Sequence, residues 1–371
     1  MIRPERTFPE IVRYLRLVRG LASSEPNYMV LFATAACNAR CEFCFYWEEI
    51  ESANVKTEIS LEEIQKTSKS LNHLFYLSIG GGEPFLRKDL VELVKAFYTN
   101  SRTRVVAIAT NGAYHERVEA FIDRLSKECP ELHMKIQVSV DNLFEKHDLS
   151  RKVDGLFKKL NETCKIISSK KKDNIPVILS VGTVITKENK NDLEALKEYL
   201  DENVDCDYIS LIYPRGNAKV EELKEVSLEE YREAKTMFNH VSNVSSFFAR
   251  IQRAVDRKAK LGVEKYIAVG KKGYPWQCVA GKKLITLSEK GDLYPCEMLG
   301  QIAPEMDSKI GNVRDNEYNI INMLSASKAK KLRTYIKQTQ CSCSYECAAL
   351  CNVVYHRRDW PGVLLRTIRF Y

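Results

Sequence analysis

The sequence predicts an α/β protein, a partial (βα)6 TIM-like barrel with a small cysteine-rich C-terminal domain. Three observations carry this. From Tyr28 to about Pro214, apolar strand runs alternate with amphipathic helix runs. Cysteines bunch at the two ends of the chain, Cys37 to Cys44 and Cys278 to Cys351. A glycine- and proline-punctuated stretch, Lys271 to Pro275, separates the two regions. Six strand-helix units in succession imply a parallel sheet with helices outside, curled into an incomplete barrel. The expected organisation is a helical appendage at 1–27, the barrel with its linking helices at 28–270, and the cysteine-rich domain with a basic tail at 271–371.

In the appendage, Ile11, Tyr14, Leu15 and Val18 fall on one helical face, with Arg13, Arg16 and Arg19 around it. A helix packed over the barrel bottom and an interfacial helix on an anionic membrane are its two readings. The first strand is Tyr28 to Phe32. Ser60 with Glu63 forms a capping box that opens a helix to about Leu71. Strand Leu74 to Ile79 ends in Gly80-Gly81-Gly82-Glu83-Pro84, and helix Asp89 to Tyr98 leads to strand Val105 to Ala109 and the turn Thr110-Asn111-Gly112. A helix from Glu116 to Lys127 precedes strand Lys135 to Val140, which ends at Asp141. Helix 153–169, strand Val177 to Ile185, helix Asp192 to Leu200 and strand Tyr208 to Tyr213 complete the series. Helical patterns over Ser227 to Val241 and Phe247 to Leu261 link the barrel to the tail. There, Leu284 to Leu287 and Leu293 to Tyr294 read as a hairpin turning at Lys290-Gly291-Asp292.

Composition narrows the function. With 371 residues, 44% hydrophobic and 29% charged, the chain can bury a substantial core. The net charge of +8 is spread over the chain, and no basic run interleaved with aromatics sits in a recognisable nucleic-acid module. Twelve cysteines in a long chain with a charged, proline-broken start fit metal ligation better than a secreted disulfide scaffold, so a reducing cytoplasm is the expected compartment. The last segment, His356 to Tyr371, mixes Arg357, Arg358, Arg366 and Arg369 with Trp360, Leu364, Leu365 and Phe370. It reads either as a peripheral membrane contact or as a tail folded back on the protein.

Cys37, Cys41 and Cys44 have a CxxxCxxC spacing that lets one loop wrap a single metal centre. Three thiolates leave one iron of a 4Fe-4S cube without a protein ligand. Zinc sites close with four ligands, and this stretch has no fourth. With Phe43 just before the third cysteine, the motif resembles the signature of the radical S-adenosylmethionine (radical SAM) enzymes. Gly81-Gly82-Glu83 resembles that family's GGE motif. The resemblance implies a 4Fe-4S cluster whose open iron binds the amino and carboxylate groups of SAM, and reductive cleavage to a 5'-deoxyadenosyl radical. It implies cofactor contacts at Phe43, Gly81, Gly82 and Glu83, at Ser139 and Asp141 for the ribose hydroxyls, and at Arg151 for the methionine carboxylate. Thr183 and Tyr213 fall where relatives contact ribose and adenine.

Cys278, then Cys296 closing a GxxxxC pattern, then Cys341, Cys343, Cys347 and Cys351, resemble a SPASM or twitch extension. A full SPASM extension has seven cysteines for two clusters, whereas this tail has six, so one auxiliary 4Fe-4S cluster is expected. Its expected ligands are Cys278, Cys296, Cys343 and Cys347, with Cys341 and Cys351 as substitutes or partial ligands to a second cluster. Zinc is the other reading of these thiols. The resemblance implies an oxidoreductase-type enzyme with a flavodoxin or ferredoxin as electron donor. A small-molecule or glycan-type substrate is expected, because the appendage is too short for the winged domain with which many peptide-modifying relatives hold a leader; peptide maturation and tetrapyrrole chemistry are the alternatives. An epimerase would need a thiol at the barrel mouth, and Cys129, Cys164 and Cys206 are not placed for that. The reading from another class is a non-catalytic zinc or iron-sulfur protein that binds nucleic acid.

Overall fold

The computed structural model describes residues 23–238 and 247–368. Its first strand, β1 (Tyr28–Thr34), is apolar along nearly its whole length and buried at all but its first residue, as a strand covered on both faces must be. It pairs in parallel with β2 (Tyr76–Gly81), and β3 (Val105–Thr110), β4 (His133–Ser139), β5 (Val177–Val184) and β6 (Tyr208–Ile212) follow in sequence order, each parallel to the last. All six strands therefore bring their C-terminal ends to one rim, where the following loops collect.

Helices α1 (Leu61–Ser68), α2 (Leu90–Asn100) and α3 (His115–Glu128) cross between the first strands. The Ser60–Glu63 capping box forms as the sequence predicts. The helix predicted over 153–169 forms as α5 (Leu156–Lys172), and a further helix, α4 (Phe144–Arg151), precedes it. Lys152 and Gly155 adopt left-handed backbone between them, and the Asp148 carboxylate accepts hydrogen bonds from Gly155 N and Phe157 N at 2.8 and 2.7 Å. A side chain from one helix thus caps the next.

After α6 (Leu193–Asn203) and α7 (Leu228–Met237) comes α8 (Phe247–Val269), two turns longer than its pattern predicts. The predicted hairpin forms as β7 (Leu284–Leu287) and β8 (Asp292–Tyr294), but it does not stand apart. Strand β7 pairs in parallel with the free edge of β1, and β9 (Gly311–Asn312) closes a nine-stranded sheet of order β6-β5-β4-β3-β2-β1-β7-β8-β9. The cysteine-rich region is therefore continuous with the barrel wall. Beyond α9 (Ser327–Gln338), helices α10 (Glu346–Tyr355) and α11 (Trp360–Ile368) pack on α8 around Val263, Trp276, Ala349, Val353 and Val363.

The described part of the basic tail folds back: Trp360 Nε1 donates to Val354 O at 3.0 Å, while Leu364 and Leu365 stay exposed. No helix among the described residues is long and apolar enough to cross a membrane. The predicted appendage helix through Ile11 and Val18 lies outside the described residues.

Candidate active site

The barrel rim holds a cavity of about 320 Å³, lined by the loop after β1, the ends of β2 to β6 and part of the tail. Cys37, Cys41 and Cys44 all line it. Their loop is short and tied down. Arg40 N donates to Arg151 O at 3.1 Å, and Cys44 N donates to Cys41 O at 3.2 Å. Two sulfurs accept backbone hydrogen bonds, Cys37 from Ala39 N and Cys44 from Tyr46 N, each at 3.4 Å. Burial first, with neighbouring negative groups adding to it, pushes the Cys37 thiol up to about 11 and the Cys44 thiol up to about 12. Three such anions are unfavourable together until a cationic centre offsets them, which is the behaviour of a metal-ligand set. Among the described residues, no three Cys, His, Asp or Glu side chains converge on a single-ion centre. A cube asks instead for one thiolate on each of three irons.

The glycine run after β2 is built against this loop. Gly82 N donates to Thr34 O and Glu83 N to Ala36 O, both at 2.8 Å. A Cβ on Gly82 would lie 2.2 Å from Ala36 O, so only glycine lets the two backbones approach this closely. Gly82→Ala is expected to displace the cysteine loop, lowering stability by about 1–3 kcal/mol and iron content after reconstitution. Gly80→Ala, whose Cβ meets nothing within 4 Å, should melt as the wild type does. The Glu83 carboxylate, 1% exposed, accepts from Thr110 Oγ1 (2.8 Å), Asn111 N (2.8 Å) and Phe85 N (3.1 Å). The Thr110-Asn111-Gly112 turn thus fixes Glu83, and Asn111 Nδ2 also reaches Asn38 Oδ1 in the cysteine loop at 2.8 Å.

Ser139 and Arg151 line the cavity, and the Arg151 guanidinium lies 5.8 Å from the centre of the Phe43 ring. Asp141 is placed differently from its expected ribose contact. It is 1% exposed, its Oδ2 accepts from Arg151 Nε (3.0 Å) and Nη2 (2.5 Å), and its Oδ1 accepts from Val184 N (2.9 Å). Both oxygens are engaged, so Asp141 positions Arg151. Thr183 also turns away from the cavity: its Oγ1 donates to Val140 O at 2.7 Å, and Val184 faces inward in its place. Tyr213 lines the cavity while its hydroxyl donates to Val226 O at 3.0 Å.

Behind Asp141, the fully buried His147 accepts from Asp141 N through Nδ1 at 3.3 Å. Burial, and secondly Arg151, hold its pKa well below the usual histidine range. The unfolded chain therefore binds a proton that the folded chain refuses. Stability is expected to fall as pH drops below about 6.5, by up to about 1.4 kcal/mol per pH unit. Urea unfolding at pH 7.5 and 5.5 should show a steeper loss for the wild type than for His147→Gln.

In the tail, Cys278, Cys296, Cys341 and Cys343 lie within range of mutual charge repulsion, and burial raises each thiol. Cys347, expected beside them, instead lines the barrel cavity. Cys351 sits behind it, buried, with Cys347 and Cys278 as its charged neighbours.

Residues 31–200 match the model of the Radical SAM superfamily. Residues 31–200 are a radical SAM domain. Its curated relatives include the Fe-coproporphyrin III synthase of Methanosarcina barkeri, 28% identical over 54% of this chain and 48% of that protein. They also include the GTP 3',8-cyclase of Alkaliphilus oremlandii, 28% identical over 54% of this chain and 61% of that one. The chain thus spans about half to three fifths of the length of these relatives. Among solved structures, anSMEcpe with bound AdoMet and a Cp18Cys peptide superposes with a TM-score of 0.55 at 16% identity, covering 93% of this chain and all of that one. Streptococcus suis SuiB bound to S-adenosylmethionine does so at 0.56 and 16%, covering 90% and 74%. These structural likenesses show the fold alone.

A radical SAM domain implies a 4Fe-4S cluster and SAM, and the donor set fits the group: three half-buried thiols on one short loop, beside a glycine-lined rim and a buried carboxylate. The tail cysteines are compatible with an auxiliary cluster. Sequence reasoning missed the opposite side of the cavity. There Arg215, after β6, stacks over Phe45 and Tyr345 at 5.2 and 4.9 Å and pairs with Glu297 at 3.2 Å. Glu346 stands beside them, and burial raises the pKa of both carboxyls. Single charged residues at distant strand and helix ends carry no spacing signal.

Proposed function

We propose that this chain is a radical SAM oxidoreductase-type enzyme whose substrate shares the barrel cavity with SAM. The observation that carries the reading is the meeting of Cys37, Cys41 and Cys44 with Gly81, Gly82 and Glu83 at one cavity. Cys37, Cys41 and Cys44 would hold the cluster and the Glu83 side would hold SAM, and together the bound groups would supply hydrogen-atom abstraction at an unactivated carbon.

The protein's own residues bind and orient. Glu83, fixed by Thr110 and Asn111, offers a carboxylate to an ammonium, and Arg151, held by Asp141, offers a guanidinium to a carboxylate. Ser139 lines the cavity within the same set, and Phe43 covers the Arg151 side. In the tail, Cys278, Cys296, Cys341 and Cys343 would hold one auxiliary 4Fe-4S cluster, with a flavodoxin or ferredoxin as outside donor.

A hydroxyl-rich, sugar- or glycan-type metabolite, oxidised or epimerised, suits the polar wall of Arg215, Glu297 and Glu346. The second reading is a peptide substrate, favoured by structural neighbours solved with a Cp18Cys peptide and with the precursor peptide SuiA.

Anaerobic reconstitution with iron and sulfide, followed by dithionite and SAM, tests the reading. Formation of 5'-deoxyadenosine is the expected result. A chain that takes up zinc alone and forms none would overturn it.

A further inference from the structure

Helix α10 begins inside the barrel, and its first turn carries Glu346 and Cys347 into the cavity that Cys37, Cys41 and Cys44 line. Tyr28 and Tyr345 lie close to Cys347. Around it stand polar groups with unused capacity. The Tyr345 hydroxyl, on a residue 1% exposed, makes no well-formed hydrogen bond among the described residues, and neither do the buried Arg215 Nε and Glu346 Oε1. A buried donor or acceptor left unmade is costly, so this wall is built for a ligand that completes it. A hydroxyl both donates and accepts, so a polyhydroxylated ligand can serve Arg215, Tyr345 and Glu346 together.

We propose that Cys347 is an active-site thiol outside the auxiliary-cluster ligand set, placed to return a hydrogen atom to a carbon radical on a hydroxylated substrate. This rests on the radical SAM reading and specifies its outcome. The S–H bond of Cys347 breaks homolytically and a C–H bond forms, so hydrogen nucleus and one electron pass to carbon and sulfur is left as a thiyl radical. One electron from the ferredoxin- or flavodoxin-type donor and one proton from solvent restore the thiol. The substrate then leaves with its oxidation state unchanged and its configuration open to inversion. Oxidation would instead send the electron to the auxiliary cluster. The sequence placed no thiol here because it offered Cys347 as a cluster ligand.

Two measurements on the full-length reconstituted protein test this. Iron content of Cys347→Ala and Cys347→Ser should equal that of the wild type, while Cys343→Ser should lose about four irons. Loss of that iron from both Cys347 variants would overturn the assignment. Reduced enzyme is then given SAM in deuterium oxide with no added substrate. Deuterium carried into 5'-deoxyadenosine from the exchangeable thiol should be lost in both Cys347 variants and kept in Cys206→Ala, whose thiol is in the core. Deoxyadenosine with unchanged deuterium in the Cys347 variants overturns this proposal alone. No deoxyadenosine from the wild type overturns the radical reading and this proposal with it.

Discussion

A chain with Cys37, Cys41 and Cys44 all replaced by alanine is expected to form no 5'-deoxyadenosine while keeping about four irons in its tail. The reason is the separation of the two thiol sets. The first three line the barrel cavity, whereas Cys278, Cys296, Cys341 and Cys343 neighbour one another and are absent from its lining. The variant should also stay folded. Its substitutions remove two weak N–H to sulfur contacts at 3.4 Å, but the loop keeps the Gly82 and Glu83 backbone bonds at 2.8 Å. Iron assay, circular dichroism and chromatography of the reaction check this together. Residual deoxyadenosine would remove the three-cysteine loop from the chemistry, and complete loss of iron would remove the auxiliary site.

Asp141→Ala is expected to cost about 3–5 kcal/mol of stability, because it strands a charged guanidinium in a buried position. Arg151 is 7% exposed, and Asp141 Oδ2 is its hydrogen-bonded counter-charge. The same substitution frees Val184 N, which donates to Asp141 Oδ1 at 2.9 Å. A double variant, Asp141→Val with Arg151→Met, removes both charges and should recover part of the loss. Urea unfolding of the three chains measures it. If Asp141→Ala unfolds with the wild type, Asp141 is a free cofactor contact, as its sequence position first suggests.

That difference shows what the sequence can carry. The six parallel strands and the GGE turn follow from apolar runs and glycine spacing, and each strand forms within two residues of its pattern. Ser139 and Asp141 lie two apart and would share a face on a continuing strand. But β4 ends at Ser139, so Asp141 has already left the pleat and turns toward Arg151. Thr183 fails by phase. Small residues Ser180 and Gly182 alternate with apolar ones along β5, and the inward set includes Val184, leaving Thr183 on the face that packs behind the sheet. The tail misleads for another reason. Cys341 to Cys351 has the spacing of a ligand loop, yet a helix starts at Glu346. Cys347 and Cys351 are then one turn apart on that helix, and Cys347 lines the barrel cavity, whose lining includes neither Cys341 nor Cys343. Only the packing of α10 against α8 makes this visible.

The most direct test of the open-iron account is electron paramagnetic resonance of the dithionite-reduced, reconstituted enzyme before and after SAM is added. Coordination of SAM at an iron that lacks a protein ligand should shift the g values of the wild-type signal, and the Cys37/Cys41/Cys44 alanine chain should show no SAM-responsive signal. A wild-type spectrum that stays unchanged while SAM is demonstrably bound would mean that every iron is already capped, and the account would fall.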